Sequence, residues 1–156
     1  MNKFKPPVNF NKDEIKIWNV LINNDFNAFC NNDWSIIEND FISEGFFGIQ
    51  ANNSSNKLDW GLQYDTLESY KLDWINQSRE FNKFEFLEDP LSTLFNTTNL
   101  SKIEIKESTA MVNKEFNGRF LIKNNKTIEL NWISIFLMRK INDQWKIANF
   151  VGYMPK

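Results

Sequence analysis

Hydrophobic positions fall at helical spacing in the first half of the chain and in strand-like runs in the second. Asn11-Lys12-Asp13-Glu14 has the form of a capping box, in which an Asn side chain accepts from a backbone N–H three residues on and a Glu reaches back. Ile15, Trp18, Ile22, Phe26 and Phe29 follow at spacings of three and four, which predicts an amphipathic helix over about 12–30. Asp33 can cap a shorter second helix with Trp34, Ile37 and Phe41 in one stripe, ending before Gly45. "GFFGIQA", from Gly45 to Ala51, is short, apolar and bracketed by glycines, as a strand with close neighbours would be. The polar "NNSSNKLDWG" then reads as a loop. Asp65 or Thr66 opens a third helix that carries Leu67, Tyr70, Trp74, Ser78 and Phe81 along one face.

After that helix "KFEFLED" alternates like a strand and Pro90 interrupts it. From Ser101 the chain reads as a meander over about 101–114, 116–122, 127–140 and 144–153, with turns at Asn117-Gly118, Asn124-Asn125 and Asn142-Asp143. Helices first and strands last predict an α+β fold. In the third of these strands Ile128, Leu130, Trp132, Phe136 and Met138 occupy one phase, and Ile133, Ile135 and Leu137 the other. A strand with one wet face alternates. Apolar residues in both phases predict a sheet covered on one side by the helices and on the other by a second subunit.

The order of elements, together with "IFLMRKINDQWKIANFVGYMP" from Ile135 to Pro155, resembles the nuclear transport factor 2-like superfamily, in particular its SnoaL-like branch. The stretch looks like that family's closing hairpin: an apolar strand ending in a basic residue, an Asn/Asp turn, then Trp-Lys-Ile and an aliphatic strand. The resemblance covers about residues 11–155 and implies one domain over 1–156. It implies a cone-shaped, curved antiparallel β-sheet with N-terminal helices enclosing a pocket, a cystatin-like roll, and usually a homodimer through the outer sheet face. It implies no single activity, because the family holds isomerases, dehydratases, cyclases, epoxide hydrolases and non-catalytic binding or assembly domains. The family's histidine-based chemistry has no counterpart in a chain without histidine. The steroid-isomerase arrangement needs a Tyr on the first helix, and 12–30 contains none.

Composition narrows the chemistry further. A net charge of -2, with no basic run longer than Arg139-Lys140, argues against nucleic acid as a partner. The 156 residues suffice to bury roughly two-thirds of the unfolded surface. The single Cys30 excludes an intrachain disulfide, fits a reducing compartment, and lies at helical spacing from Phe26 as a small core residue would. The N-terminus lacks an apolar stretch of about 7 to 15 residues, and no run approaches the roughly 18 needed to span a bilayer, so a cytoplasmic chain without membrane contact is expected. Without histidine there is no Ser-His or Cys-His nucleophile and no common imidazole metal site. Neither metal nor cofactor is expected, and acid-base work must rest on Asp, Glu, Tyr, Lys or water.

Asp40, at the end of the second helix, is the candidate general base, against the simpler reading of a solvated helix-end carboxylate. Trp60, Tyr64, Tyr70 and Trp74 would roof the cone, either as core or as amphipathic aromatics that grip an apolar or sugar-like ring. Trp145, Ile147, Asn149, Val151 and Tyr153 share one face of the closing strand, so Asn149 and Tyr153 either meet a cavity or pair with neighbours. Trp132 and Met111 are assigned to the concave face, as packing or as ligand contacts. The leading expectation is a binding domain for a small, largely apolar molecule. The alternatives are a cofactor-independent lyase or isomerase, with Asp40 as base and Tyr64, Tyr70 or Asn149 polarising a carbonyl, and a dimeric assembly domain.

Overall fold

The computed structural model describes residues 4–156. A continuous helical rod opens it: α1 (Lys12–Trp18), a π-helical turn over Asn19–Asn24, and α2 (Asp25–Asn31). The capping box closes both ways, with Asn11 Oδ1 accepting from the Glu14 N–H at 2.9 Å and Glu14 Oε1 accepting from the Asn11 N–H at 3.0 Å. The rod ends at Asn32, whose φ of 48° lies in the left-handed region that Asn tolerates. The expected second helix is instead two 3₁₀ turns, Trp34–Ile36 and Glu38–Asp40. Trp34, Ile37 and Phe41 are buried as their spacing requires. Asp33, however, spends its side chain on the N–H and hydroxyl of Ser35, local bonds that compete with a helical ladder.

β1 (Phe47–Gln50) and β2 (Gly61–Tyr64) pair as a hairpin around a loop containing a 3₁₀ turn, Lys57–Asp59. α3 (Leu67–Phe81) starts at a Thr66 cap with Ser69 as its reciprocal partner, and buries Trp74 and Ser78. Ser78 Oγ and Asn82 Nδ2 both donate to the carbonyl of Phe29, at 2.6 and 3.0 Å, beside the Asn32 N–H at 3.2 Å, which ties the two helices together near the end of α2. The strand expected at "KFEFLED" reduces to one bridge, Phe86 to Ile122, and Pro90 begins α4 (Pro90–Thr97) rather than a break. Pro at a first helical position behind an Asp cap is a start signal, and Asp89 Oδ2 accepts from the Ser92 N–H at 3.0 Å.

β3 (Thr98–Lys106), β4 (Thr109–Ile122), β5 (Lys126–Ile141) and β6 (Gln144–Met154) complete a curved sheet in the order β2-β1-β6-β5-β4-β3. The sheet is mixed, since β1 runs parallel to β6 while every other neighbouring pair is antiparallel. Asn124-Asn125 and Asn142-Asp143 are turns with positive φ at both residues, as two-residue hairpins demand. Asn117-Gly118 is not a turn. It lies inside β4 opposite Asn131 and Leu130, and Gly118 is required by α4, because a Cβ there would come 2.2 Å from Thr97 Cγ2. The reversal falls instead at Glu107, with φ 54°.

The concave face receives Ala110, Val112, Lys114, Phe116 and Phe120 from β4, and Leu130, Ser134 and Met138 from β5, all buried. β6 does not keep one phase. Leu137 pairs with Asn149 and Met138 with Ile147, leaving Ala148 as an inserted residue; a second irregularity sets Gly152 and Tyr153 opposite Ser134. Such bulges re-aim side chains. Trp145 and Ile147 therefore face inward, then Phe150 and Gly152 do, and Asn149 does not share their face. Met111 also leaves the concave face: it is 47% exposed and pairs with Leu137 on the outer side. Among the described residues no helix is long and apolar enough to cross a membrane.

Candidate functional site: an aromatic cavity with a buried ion pair

Two cavities lie between the helices and the concave sheet. The larger, about 270 Å³, is walled by α2 and α3 on one side and by β4, β5 and β6 on the other. The smaller, about 30 Å³, lies between the π turn, Ile37 and Ile147. Asp25, Tyr70, Lys114 and Phe136 line both and form the partition between them. At its far end the larger cavity shares Gln50, Tyr64, Gln77 and Tyr153 with an open polar groove, which marks its mouth.

Lys114 is the centre of the partition. Its side chain is 3% exposed, and Nζ donates to Asp25 Oδ2 at 2.9 Å and to the carbonyl of Leu21. The ammonium also lies 4.5 Å from the ring centre of Phe26 and 5.3 and 5.8 Å from those of Phe116 and Phe136. A charge taken out of water persists only when paired and hydrogen-bonded, and the ring faces add to that. The helix is irregular where the lysine meets it, at the junction of the π turn and α2. In a regular helix the Asp25 N–H would bond to Leu21 O; here it bonds to Ile22 O, and Leu21 O turns to the lysine.

The walls are aromatic. Phe116 stacks on Trp132 at 4.5 Å, and Trp132 contacts Tyr153 at 4.7 Å. Tyr153 is reached because its φ of 55° turns the end of β6. At the mouth the Tyr64 hydroxyl donates to Asp73, and Gln77 Nε2 donates to the same carboxylate oxygen at 2.8 Å. Burial, then the neighbouring Asp73, pushes the Tyr64 hydroxyl above its ordinary value; burial does the same for Tyr70 and Tyr153. All three remain protonated at neutral pH, and so are donors. Gln50 Oε1 is a buried acceptor at the mouth with no hydrogen-bond partner among the described residues, which a bound donor would satisfy.

The expected site residues divide accordingly. Tyr64, Tyr70, Trp74, Trp132 and Tyr153 surround the larger cavity. Trp60 does not: its indole donates to Ser54 O at 2.8 Å within the β1–β2 loop. Asn149 donates to Gly45 O at 3.0 Å, and Met111 lies on the outer face. Asp40 lines the smaller cavity and the surface groove beside it, half-buried, accepting from Asn24 Nδ2 at 3.1 Å. Burial raises its carboxyl above the usual range, while Asn24 and Lys146 oppose the shift. Burial pushes the Cys30 thiol up to about 12, so it stays protonated and inert. Among the described residues no group of three or more Cys, Asp or Glu side chains could hold a metal ion.

Lys114 and Asp25 are absent from the expected set, yet each leaves a trace in the sequence. Lys114 falls in the inward phase of Ala110, Val112, Phe116 and Phe120, and Asp25 stands four residues after Leu21 on the helix. A charge inside an apolar phase is the readable signal. It stays hidden when the strand is broken at Asn117-Gly118.

No protein-family model matches the sequence, and no curated protein matches it. Solved structures do match. A nuclear transport factor 2-like superfamily protein from Salmonella enterica serovar Typhimurium superposes with a TM-score of 0.57 at 14% identity, over 90% of this chain and 91% of its own. A nuclear transport factor 2-like protein of unknown function from Shewanella baltica gives 0.54 at 15% identity, over 92% and 95%. A domain of unknown function with a cystatin-like fold from Nostoc punctiforme gives 0.57 at 10% identity, over 91% and 77%. The chain has the nuclear transport factor 2-like fold.

Proposed function

We propose that this protein binds a small, largely apolar, ring-containing molecule in the cone. One observation carries the reading: a cavity of about 270 Å³ with stacked aromatic walls, a buried ion pair at its base and a polar mouth. That volume falls near the lower limit of about 300 Å³ for ligand pockets and suits two fused rings. Titration with bicyclic aromatics, followed by the fluorescence of Trp74 and Trp132 in the wall, should saturate, and a co-crystal should place the rings between Trp132 and α3. A response that rises linearly without saturation overturns the reading.

The raised pKa of Asp40 favours a second reading, a cofactor-independent lyase or isomerase with that carboxylate as base. Tyr70 borders both cavities and offers a hydroxyl donor in the smaller one, which Asp40 also lines. This reading requires a compound that the wild-type chain converts and an Asp40→Asn variant binds but does not convert. The partition of Lys114 and Asp25 between Asp40 and the larger cavity puts binding first.

The outer sheet face carries a cross-strand row of Phe47, Met111 and Leu137, 40, 47 and 39% exposed, with Ile133 and Ile135 half-buried beside it. A second copy of the chain covers this row in a two-fold homodimer, in which the same apolar surface meets itself. Light scattering at micromolar concentration should give twice the chain mass, and a monomer counts against it. A purely structural assembly role is the limiting case, in which this interface forms and no ring compound binds. A cytoplasmic setting belongs to the same reading and is supported by the unpaired Cys30.

A further inference from the structure

The Lys114–Asp25 pair is more than a structural tie, because it presents one donor and one acceptor side by side at the base of the larger cavity. An ammonium has three N–H groups, and Leu21 O and Asp25 Oδ2 take two of them. Asp25 Oδ1 makes no hydrogen bond among the described residues. From these groups we infer that the ligand is an uncharged, planar aromatic alcohol whose hydroxyl accepts from Lys114 Nζ and donates to Asp25 Oδ1. The inference rests on the small-molecule reading above and names the ligand class for that cavity.

Charge balance excludes the other polar head groups. Lys114 and Asp25 together are neutral; the rings of Phe26, Phe116 and Phe136 surround the Lys114 ammonium, while the Asp25 side chain is 32% exposed toward the cavities that it lines. A carboxylate ligand would leave one uncompensated negative charge against those ring faces, next to Asp25. A cationic ligand would leave a positive charge next to Lys114. Either is costly beside the Lys114 ammonium, whose side chain is 3% exposed. A ketone or ether could accept from the lysine but leaves Oδ1 without a donor. A hydroxyl satisfies both groups at once, and the flat surface built by Trp132, stacked on Phe116 and flanked by Tyr153, suits a planar ring above it.

Three probes of one ring system separate these cases by isothermal titration at pH 7: 2-naphthol, 2-methoxynaphthalene and 2-naphthoate. The naphthol should bind about tenfold tighter than either of the others, because a site built to hydrogen-bond a hydroxyl rejects analogues that leave its polar groups unpaired. In Lys114→Met, checked for folding by circular dichroism, the preference for naphthol over its methyl ether should vanish. Should that variant fail to fold, the ranking on the wild-type chain decides alone. Equal or tighter binding of the ether or the naphthoate overturns the hydroxyl inference and leaves the small-molecule reading standing. No binding by any of the three overturns both.

Discussion

The two ends of the concave face are packed to different densities and behave differently. At the narrow end Ile17, Leu21, Ile37, Val112 and Met138 are each 0 to 2% exposed, and the space left among the helices and strands is about 30 Å³. At the wide end the walls are Trp132, Tyr153, Phe116 and their neighbours, and about 270 Å³ stays open. Branched and flexible aliphatic side chains interdigitate until no void is left. At the wide end Phe116, Trp132 and Tyr153 stack on one another beside the open volume, whereas the stacked pair Trp34 and Phe41 at the narrow end is packed in by aliphatic neighbours. The same sheet thus supplies stability at one end and a binding volume at the other, with Lys114 and Asp25 between them.

Truncation at the narrow end should have the largest effect. Met138→Ala removes a fully buried side chain, and should cost about 2–5 kcal/mol in urea unfolding while leaving ligand affinity nearly unchanged. A cost under about 1 kcal/mol would mean that this end is loosely packed, and the contrast would fail. Gly48→Ala is the next largest and acts at the wide end. A Cβ there would lie 2.6 Å from Phe150 Cζ and 2.8 Å from Tyr64 Cδ2, both rings of the cavity wall. The rings have open space to enter, so the cost should fall within about 1–3 kcal/mol, and affinity for bicyclic aromatics should drop as the space fills. Unchanged affinity would show that the rings move outward instead.

Trp132→Ala sharpens the comparison from the other side. Trp132 already borders open volume, so its loss should cost only about 1 kcal/mol of stability. Ligand affinity should fall with it, since the ring is the main stacking surface. The contrast breaks if stability falls as far as in Met138→Ala.

These two ends were not equally legible in the sequence. The elements that periodicity specifies, α1, α3 and the long strands, follow from spacing, and so does the burial of Trp34, Ile37, Trp74 and Trp145. What periodicity misses is insertion. One inserted residue at Ala148 swaps Phe150 for Asn149 on the inner face, and the irregular junction of the π turn and α2 re-aims Leu21 O and Asp25. Neither changes the hydrophobic pattern that precedes it. Both are set by tertiary pairing, β6 against β5 and the rod against Lys114, and so the narrow end was readable where the floor of the cavity was not.

The smallest expected effect tests the charge at the narrow end. Asp40 is an acid whose folded-state pKa is raised by burial, so it favours the folded state below its unfolded pKa of about 3.9 and loses that contribution as pH rises through the raised folded value. At neutral pH its ionised carboxylate is a net cost, unlike that of Asp25, which a buried ammonium compensates. Asp40→Asn removes the titration and keeps an amide oxygen to accept from Asn24 Nδ2. The melting temperature should therefore rise slightly at pH 7, with little change at pH values below the unfolded pKa. Burial is the larger influence on Asp40, and Asn24 and Lys146 oppose it. A fall in melting temperature at pH 7 would reverse that order, with the attraction of Lys146 outweighing desolvation, and would make the surroundings of Asp40 wetter than its half-buried position implies.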